Sequence, residues 1–244
     1  MSKPVIGSAA WNDRMYRSHR TPYDGLAGVI ERARLRWVLR WARALAPTRV
    51  LDVGCGEGVL LDAFGDGVQV IGVDVSGDSL RACHRDHPTR EVIQANGTQG
   101  LPFDSRTFDL VLCTEVLEHV PEPARLISEL WRVCAPNGRA ILTVPIERLK
   151  LAAKAILRWT PLFRCLFPGI EPGFSAWHLH DFDRATLYSL LRTRFEIESA
   201  RCVWGLHRCL LLRPAATVRS VHATPVRPVA LRNLPFAHAH PVGM

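Results

Sequence analysis

The chain is most constrained where an apolar run, Val50-Leu51-Asp52-Val53, halts at Gly54-Cys55-Gly56-Glu57-Gly58. Glycines at that density permit a tight turn and let a ligand approach the backbone, with the N–H groups of a following helix close by. A second apolar run over 68–73 ends on Asp74, and Ser76 stands where it caps a helix through about His84, with Asp78 in its first turn. The alternation continues. Residues 91–95 read as a third strand, 108–113 as a fourth, 121–134 as a helix with proline near its start, and 140–144 as a fifth strand stopped by Pro145. Ahead of the glycines, residues 28–46 place Val29, Leu35, Val38, Leu39, Ala42 and Leu45 on one helical face, and Pro47 ends that helix. A short helix is expected at 59–64. Further helices are expected near 147–167 and 183–193, then strands at 195–203 and 206–212 joined by Trp204-Gly205 as a hairpin. Strands separated by helices predict a parallel sheet with right-handed crossovers. The expected fold is therefore an α/β, Rossmann-like three-layer sandwich, with a seven-stranded, mostly parallel sheet closed by an antiparallel C-terminal pair.

The 244 residues suffice for one such domain. Residues 1–27 are polar, with Trp11, Tyr16 and Tyr23 among arginines and no period, and are expected to form an N-terminal segment that covers the active site. The domain proper is expected over 28–213, with an acceptor lid inserted near 146–182. Residues 214–244 hold five prolines and three arginines without an apolar period, which predicts a disordered, dispensable tail. The net charge of +8 is unevenly spread: residues 48–145 carry −6, between basic flanks. That is not the continuous basic stripe of a nucleic-acid binder, so no nucleic-acid partner is expected. The flanks favour an anionic acceptor or membrane surface. No eighteen-residue apolar stretch lacks charges, and residues 1–12 lack the apolar core of a secretory signal. Seven cysteines without a CxxC pair fit a reducing cytoplasm, with peripheral contact at the inner membrane face as an added expectation.

Two cofactor classes use glycine loops of this kind. The dinucleotide fingerprint G-x-G-x-x-G would need glycine at Val59, whereas the spacing here is G-x-G-x-G. Asp52, two residues before the first glycine, would repel a pyrophosphate but suits a ligand bearing an ammonium group. Asp74 is placed to accept from two ribose hydroxyls.

At these residues the chain resembles the class I S-adenosylmethionine-dependent methyltransferases, and within them the small-molecule group of ubiquinone and menaquinone biosynthesis methyltransferases. The resemblance runs through 50–58, through Val70-Ile71-Gly72-Val73-Asp74-Val75-Ser76, and through Leu101-Pro102-Phe103 with Phe108-Asp109-Leu110-Val111. It continues in Glu115-Val116-Leu117-Glu118-His119-Val120 and in Arg132 to Arg139, and is looser over 178–212. It implies S-adenosyl-L-methionine as cofactor, held by Asp52, Gly54, Cys55, Gly56, Asp74, Val75, Asn96, Gly97 and Thr114. The family usually has an aspartate for the adenine amino group just after the third strand. Asn96, followed by Gly97, stands there instead, and its carbonyl oxygen is a neutral acceptor.

A sulfonium methyl is already electrophilic, so alignment does most of the work, and a base is needed only if the acceptor must lose a proton. His119, just past the fourth strand, is the candidate base, or else a structural histidine at a helix end. Glu115 is a candidate substrate residue, and it and Glu118 read equally well as solvated or capping acids. His178 and His180 are expected to line the acceptor pocket or cap the helix after Asp183; no metal is expected, because spacing places no further ligand beside them. Methyltransferases acting on amide or exocyclic nitrogens often carry an Asn/Asp-Pro-Pro-Tyr/Phe tetrapeptide after strand four; Cys113-Thr114-Glu115-Val116 here points to O- or C-methylation. Over 148–167, an apolar stripe from Leu149 to Leu157 and a basic face of Lys150, Lys154 and Arg158 read as a lid over a hydrophobic acceptor, a membrane-contact helix, or an ordinary packed helix. The acceptor is expected to be a small or lipid-like molecule. The alternatives are a non-catalytic cofactor-binding or regulatory protein and, less favoured, a nicotinamide-dependent dehydrogenase.

Overall fold

The computed structural model describes residues 4–18, 25–65, 67–146 and 178–216. Its elements are α1 (Ala9–Ser18), α2 (Gly25–Leu45), β1 (Arg49–Val53), β2 (Gln69–Asp74), α3 (Gly77–Asp86), β3 (Glu91–Gln94) and β4 (Phe108–Thr114). After these come α4 (Pro123–Val133), β5 (Cys134–Pro145), α5 (Arg184–Leu191), β6 (Phe195–Val203) and β7 (His207–Pro214). Seven strands form one sheet in the order β3-β2-β1-β4-β5-β7-β6. The first five run parallel, and β7 pairs antiparallel with both β5 and β6. The expected sandwich is the observed one.

Alternation along the strands builds the two outer layers. Leu51, Val53, Ile71, Val73, Val111, Cys113 and Leu142 face α4 and α5, where Leu126, Ile127, Leu130, Leu187 and Leu190 meet them. Val50, Val70, Leu110, Leu112 and Ile141 face the other way, against Val38 and Ala42 of α2 and Leu80 and Cys83 of α3. Asp52 belongs by parity to this second face, which places a carboxylate in an apolar layer below α2. Because β1 and β4 are neighbours that grow in opposite directions across the sheet, their carboxyl ends open a crevice between the glycine loop and the turn after Thr114.

Several local outcomes differ from expectation. Residues 59–64 make turns and one 3-10 turn, Leu61–Ala63, rather than a helix. Only six residues separate Gly58, at φ +86°, from Gly65, too few to repay helix nucleation. The N-terminal segment contains α1, which has no apolar stripe but buries Trp11 and Asn12. Strand β7 runs on to Pro214, and Ala215 is buried, donating its N–H to Arg194 O at 2.8 Å and accepting from Trp131 Nε1 at 3.3 Å. The folded unit therefore extends past 213. The lid expected over 146–182, with its basic helix 148–167, falls almost wholly outside the described residues, as does most of the tail.

Leu130 is fully buried between α4 and the sheet, so Leu130→Ala should lower unfolding free energy by about 2–5 kcal/mol in urea denaturation without changing the fold by circular dichroism.

Candidate functional site

Asp74, closing β2, is the joint of the crevice. Its Oδ2 accepts from Gly56 N–H at 2.9 Å and its Oδ1 from Ser76 N–H at 2.8 Å, pinning the glycine loop to the start of α3. Burial raises its pKa while these N–H groups pull against the rise. The loop itself is held by Val73 O, which accepts from Gly54 N at 2.7 Å and Cys55 N at 3.1 Å. Gly54 sits at φ +77°, and a Cβ there would overlap Val116, so only glycine lets that loop close on the turn after β4. Gly56, at φ +54°, has nothing within 4 Å of where a Cβ would stand, so its face of the loop is open.

Below the loop lies Asp52, 2% exposed, whose Oδ1 has no partner among the described residues. Burial, reinforced by the charge of Asp74 and opposed by Arg34, pushes its pKa up to about 7. Cys55 is packed against Gly72, and burial raises its thiol far above the usual range, so it serves as filling and not as a nucleophile. Val75 presents its carbonyl to Gln94 Nε2 at 3.1 Å. Thr114 ends β4 opposite Thr143, and Gly97 packs on Leu126. Asn96 lies at the same edge, but its Oδ1 already accepts from Thr98 N–H at 3.0 Å and from its hydroxyl at 2.8 Å, while its amide donates to Gly7 O at 3.4 Å.

Across the crevice, the 3-10 turn Leu117–His119 carries the second group. Glu118 is buried; His119 Nε2 stands 3.9 Å from Glu118 Oε1, and the His119 and His178 rings meet edge-on at 4.8 Å. Glu118, His119 and His178 offer ligand atoms that all lie within 4.8 Å of one another, a spacing suited to a divalent cation. Sequence spacing could not supply this third ligand, because His178 arrives from 59 residues further along the chain. His180 does not join them. It is buried, its Nε2 bonds Val120 O at 2.9 Å, and burial lowers its pKa, so it is a neutral structural imidazole. Nor does it cap the next helix: Asp183 does, accepting from Thr186 N–H at 2.7 Å. Glu115 sits in the left-handed region at φ +56°, with its carboxylate turned to Thr143 and His207.

The N-terminal segment was expected to cover the active site, but neither its helix nor the bonds that seat it were legible in the sequence. Asp13 accepts from Ser76 Oγ at 2.7 Å and Asp78 N–H at 3.0 Å, and Tyr16 donates to Glu57 at 2.7 Å. Polar bonds of this kind leave no periodic mark.

A family described as "Methyltransferase domain" matches residues 51–142, the span from β1 to β5 that builds the crevice. Over that span the chain is similar to methyltransferase domains. A ubiquinone biosynthesis O-methyltransferase from Aliivibrio fischeri is 33% identical over 130 residues, covering 51% of this chain and 55% of that one. The chain thus matches only about half the length of such relatives. A protein from Pyrococcus horikoshii shares the fold with TM-score 0.63 at 19% identity, over 83% of this chain and 99% of that one. An N-methyltransferase from Bradyrhizobium japonicum, solved with S-adenosyl-L-homocysteine, shares it with TM-score 0.60 at 13% identity, over 86% and 99%.

Because folding raises the Asp52 pKa from 3.8 to about 7, ionising it costs stability progressively as pH climbs through that interval. Asp52→Asn should therefore raise the melting temperature of the ligand-free domain by roughly 3 °C or more near pH 8, with a gain that shrinks towards pH 4 in calorimetric scans.

Proposed function

We propose that the protein transfers the methyl group of S-adenosylmethionine to a hydroxyl oxygen of a small, lipid-like acceptor. The observation that carries this is the buried Asp52 carboxylate beneath the open face of Gly56 and beside Asp74. A buried anion of this kind calls for a cationic ligand group, which the ammonium of the cofactor supplies. A dinucleotide pyrophosphate would bring negative charge to two carboxylates instead. Asp74 keeps lone pairs for ribose hydroxyls after its two backbone bonds. The methyltransferase-domain match supports the cofactor, and the ubiquinone-biosynthesis relatives support oxygen as the accepting atom.

The cofactor brings its own electrophile, so the chain's task is alignment and, for a hydroxyl, removal of a proton. His119 is the base in this scheme, partly buried at the crevice edge with Glu118 behind it. The Glu118–His119–His178 cluster favours a further role: a divalent cation held there would acidify the acceptor hydroxyl, with the two imidazoles neutral as ligands. Segment 148–167 is proposed as the acceptor lid on its sequence pattern, whether or not it also touches a membrane. None of the described helices is long and apolar enough to cross one. A non-catalytic cofactor binder would show the same affinity for the cofactor but no turnover.

In calorimetry, S-adenosylhomocysteine should bind and NAD should not; NAD as the tighter ligand would end the methyl-transfer proposal. Asp74→Ala should weaken S-adenosylhomocysteine by about tenfold or more, as a buried bond to a charged group is worth roughly 1.5–3 kcal/mol. Dialysis against a strong chelator, followed by return of zinc or magnesium, separates the two proton-removal schemes. Loss and recovery of O-methylation supports the cation, and unchanged turnover leaves His119 as the base.

A further inference from the structure

Five side chains, from α2, β5, β7 and the turn after β4, close a ring under the acceptor side of the crevice. Arg34, on α2, donates from Nε to Glu31 Oε2 at 2.9 Å and from Nη1 to Thr143 Oγ1 at 3.2 Å. Thr143, on β5, donates that hydroxyl proton to Glu115 Oε1 at 2.8 Å. The other Glu115 oxygen lies 3.0 Å from His207 Nδ1, at the start of β7, and His207 Nε2 lies 3.3 Å from Glu31 Oε1, which closes the circuit. Arg34 is 4% exposed, and Thr143 and His207 are fully buried.

Resting on the methyl-transfer proposal above, we infer that Glu31, Arg34 and His207 are positioning residues that clamp Glu115 at the acceptor edge, with His207 held as the imidazolium. Ionised carboxylates only accept hydrogen bonds, and a neutral imidazole has one N–H and one bare nitrogen. A neutral His207 would aim its bare nitrogen at one of two carboxylates in a buried site. Protonated, it donates from Nδ1 to Glu115 and stands as an ion pair to Glu31 through Nε2, and the ring then holds two cations and two anions, a balance that a buried charge cluster requires. Glu31 is consistent with this. Burial acts to raise its pKa, but the His207 bond and the charges of Arg34 and His207 outweigh it and hold the carboxyl below its usual range. Glu31 and Glu115 are charged groups in direct contact with His207, and Arg34 stands beyond Glu31 in the ring. Cys209, next on the same face of β7, is neutral, because burial pushes its thiol up to about 12.

The clamp has a reason to exist at Glu115. That residue turns left-handed straight after β4, and the next residue, Val116, is the one that closes on Gly54. Fixing both carboxylate oxygens fixes the turn, and with it the approach of the Leu117–His119 segment to the cofactor loop. Glu115 thereby acts as a fixed wall of the acceptor site and not as a mobile base.

Imidazole nitrogen-15 spectra of the full chain test the charge state, with the His207 signal assigned by its loss in His207→Gln. Both His207 nitrogens should stay protonated from about pH 6 to about pH 8. Glu31→Gln, at the rim of the ring, should shift His207 to a neutral tautomer within that range. In the same variant, kcat for O-methylation of a long-chain alkylphenol probe should fall about tenfold, with the probe KM and the S-adenosylhomocysteine Kd within about twofold of wild type. Glu31→Asp should recover part of the loss. A neutral His207 throughout, or full turnover in Glu31→Gln, overturns the clamp. A wild-type chain that binds S-adenosylhomocysteine but methylates no alkylphenol overturns the acceptor assignment instead, and the His207 spectrum still decides the clamp.

Discussion

The paired backbone bonds to Asp74 are what the rest of the site depends on. One carboxylate gathers the N–H groups of Gly56 and Ser76, so the end of β2, the glycine loop and the start of α3 move as a single piece. The bonds are charge-assisted and partly buried, which makes them stronger than ordinary turn contacts. They also concentrate negative charge, because Asp74 lies close enough to disfavour ionisation of Asp52. The domain thus holds an electrostatic deficit at the position where a cationic ligand group would offset it. Stability is given up locally, in the pattern expected of a functional site.

The sheet was legible in the sequence because its signals are local and redundant. Parity along Val50–Val53 and Val70–Val73 set the faces, Asp74 and Pro145 marked strand ends, and Ser76 capped α3 as expected, its hydroxyl accepting from Ser79 N–H at 3.2 Å. The glycine loop declared itself for the same reason, since its backbone angles are ones that other residues rarely adopt. What the sequence hid is held by contacts between distant residues. Helix α1 docks through Asp13, Tyr16 and Arg17, the last reaching Asp78 at 3.3 Å; these share one face at i, i+3 and i+4, but as polar residues they leave no apolar period. Ala215 is held by Arg194 and Trp131, which no pattern near residue 215 announces.

Histidines illustrate the division most clearly. His178 and His180 stand two residues apart and read alike in sequence, yet one meets His119 and the other turns inward to Val120. Only the path of the chain past the Leu117–His119 turn separates them: the N–H groups of Leu179 and His180 both bond Glu118 O, at 2.7 and 3.2 Å. Plain alternation would put both on one side, so it is the turn of the chain at that clasp that parts them. His207 carried no signal at all, since a histidine at a strand start is ordinary until its partners are known.

Arg34 shows why the two halves of the crevice are best treated as one electrostatic unit. Its guanidinium bonds Glu31 and Thr143 on the acceptor side, while its charge draws down the pKa of Asp52 on the cofactor side. A single buried cation therefore serves two groups of anions, and neither group can change its charge without altering what the cation is worth to the other. An ammonium bound beside Asp52 would bring a second cation towards Arg34, so a bound cofactor and the Glu31 and Glu115 carboxylates would act on the same guanidinium.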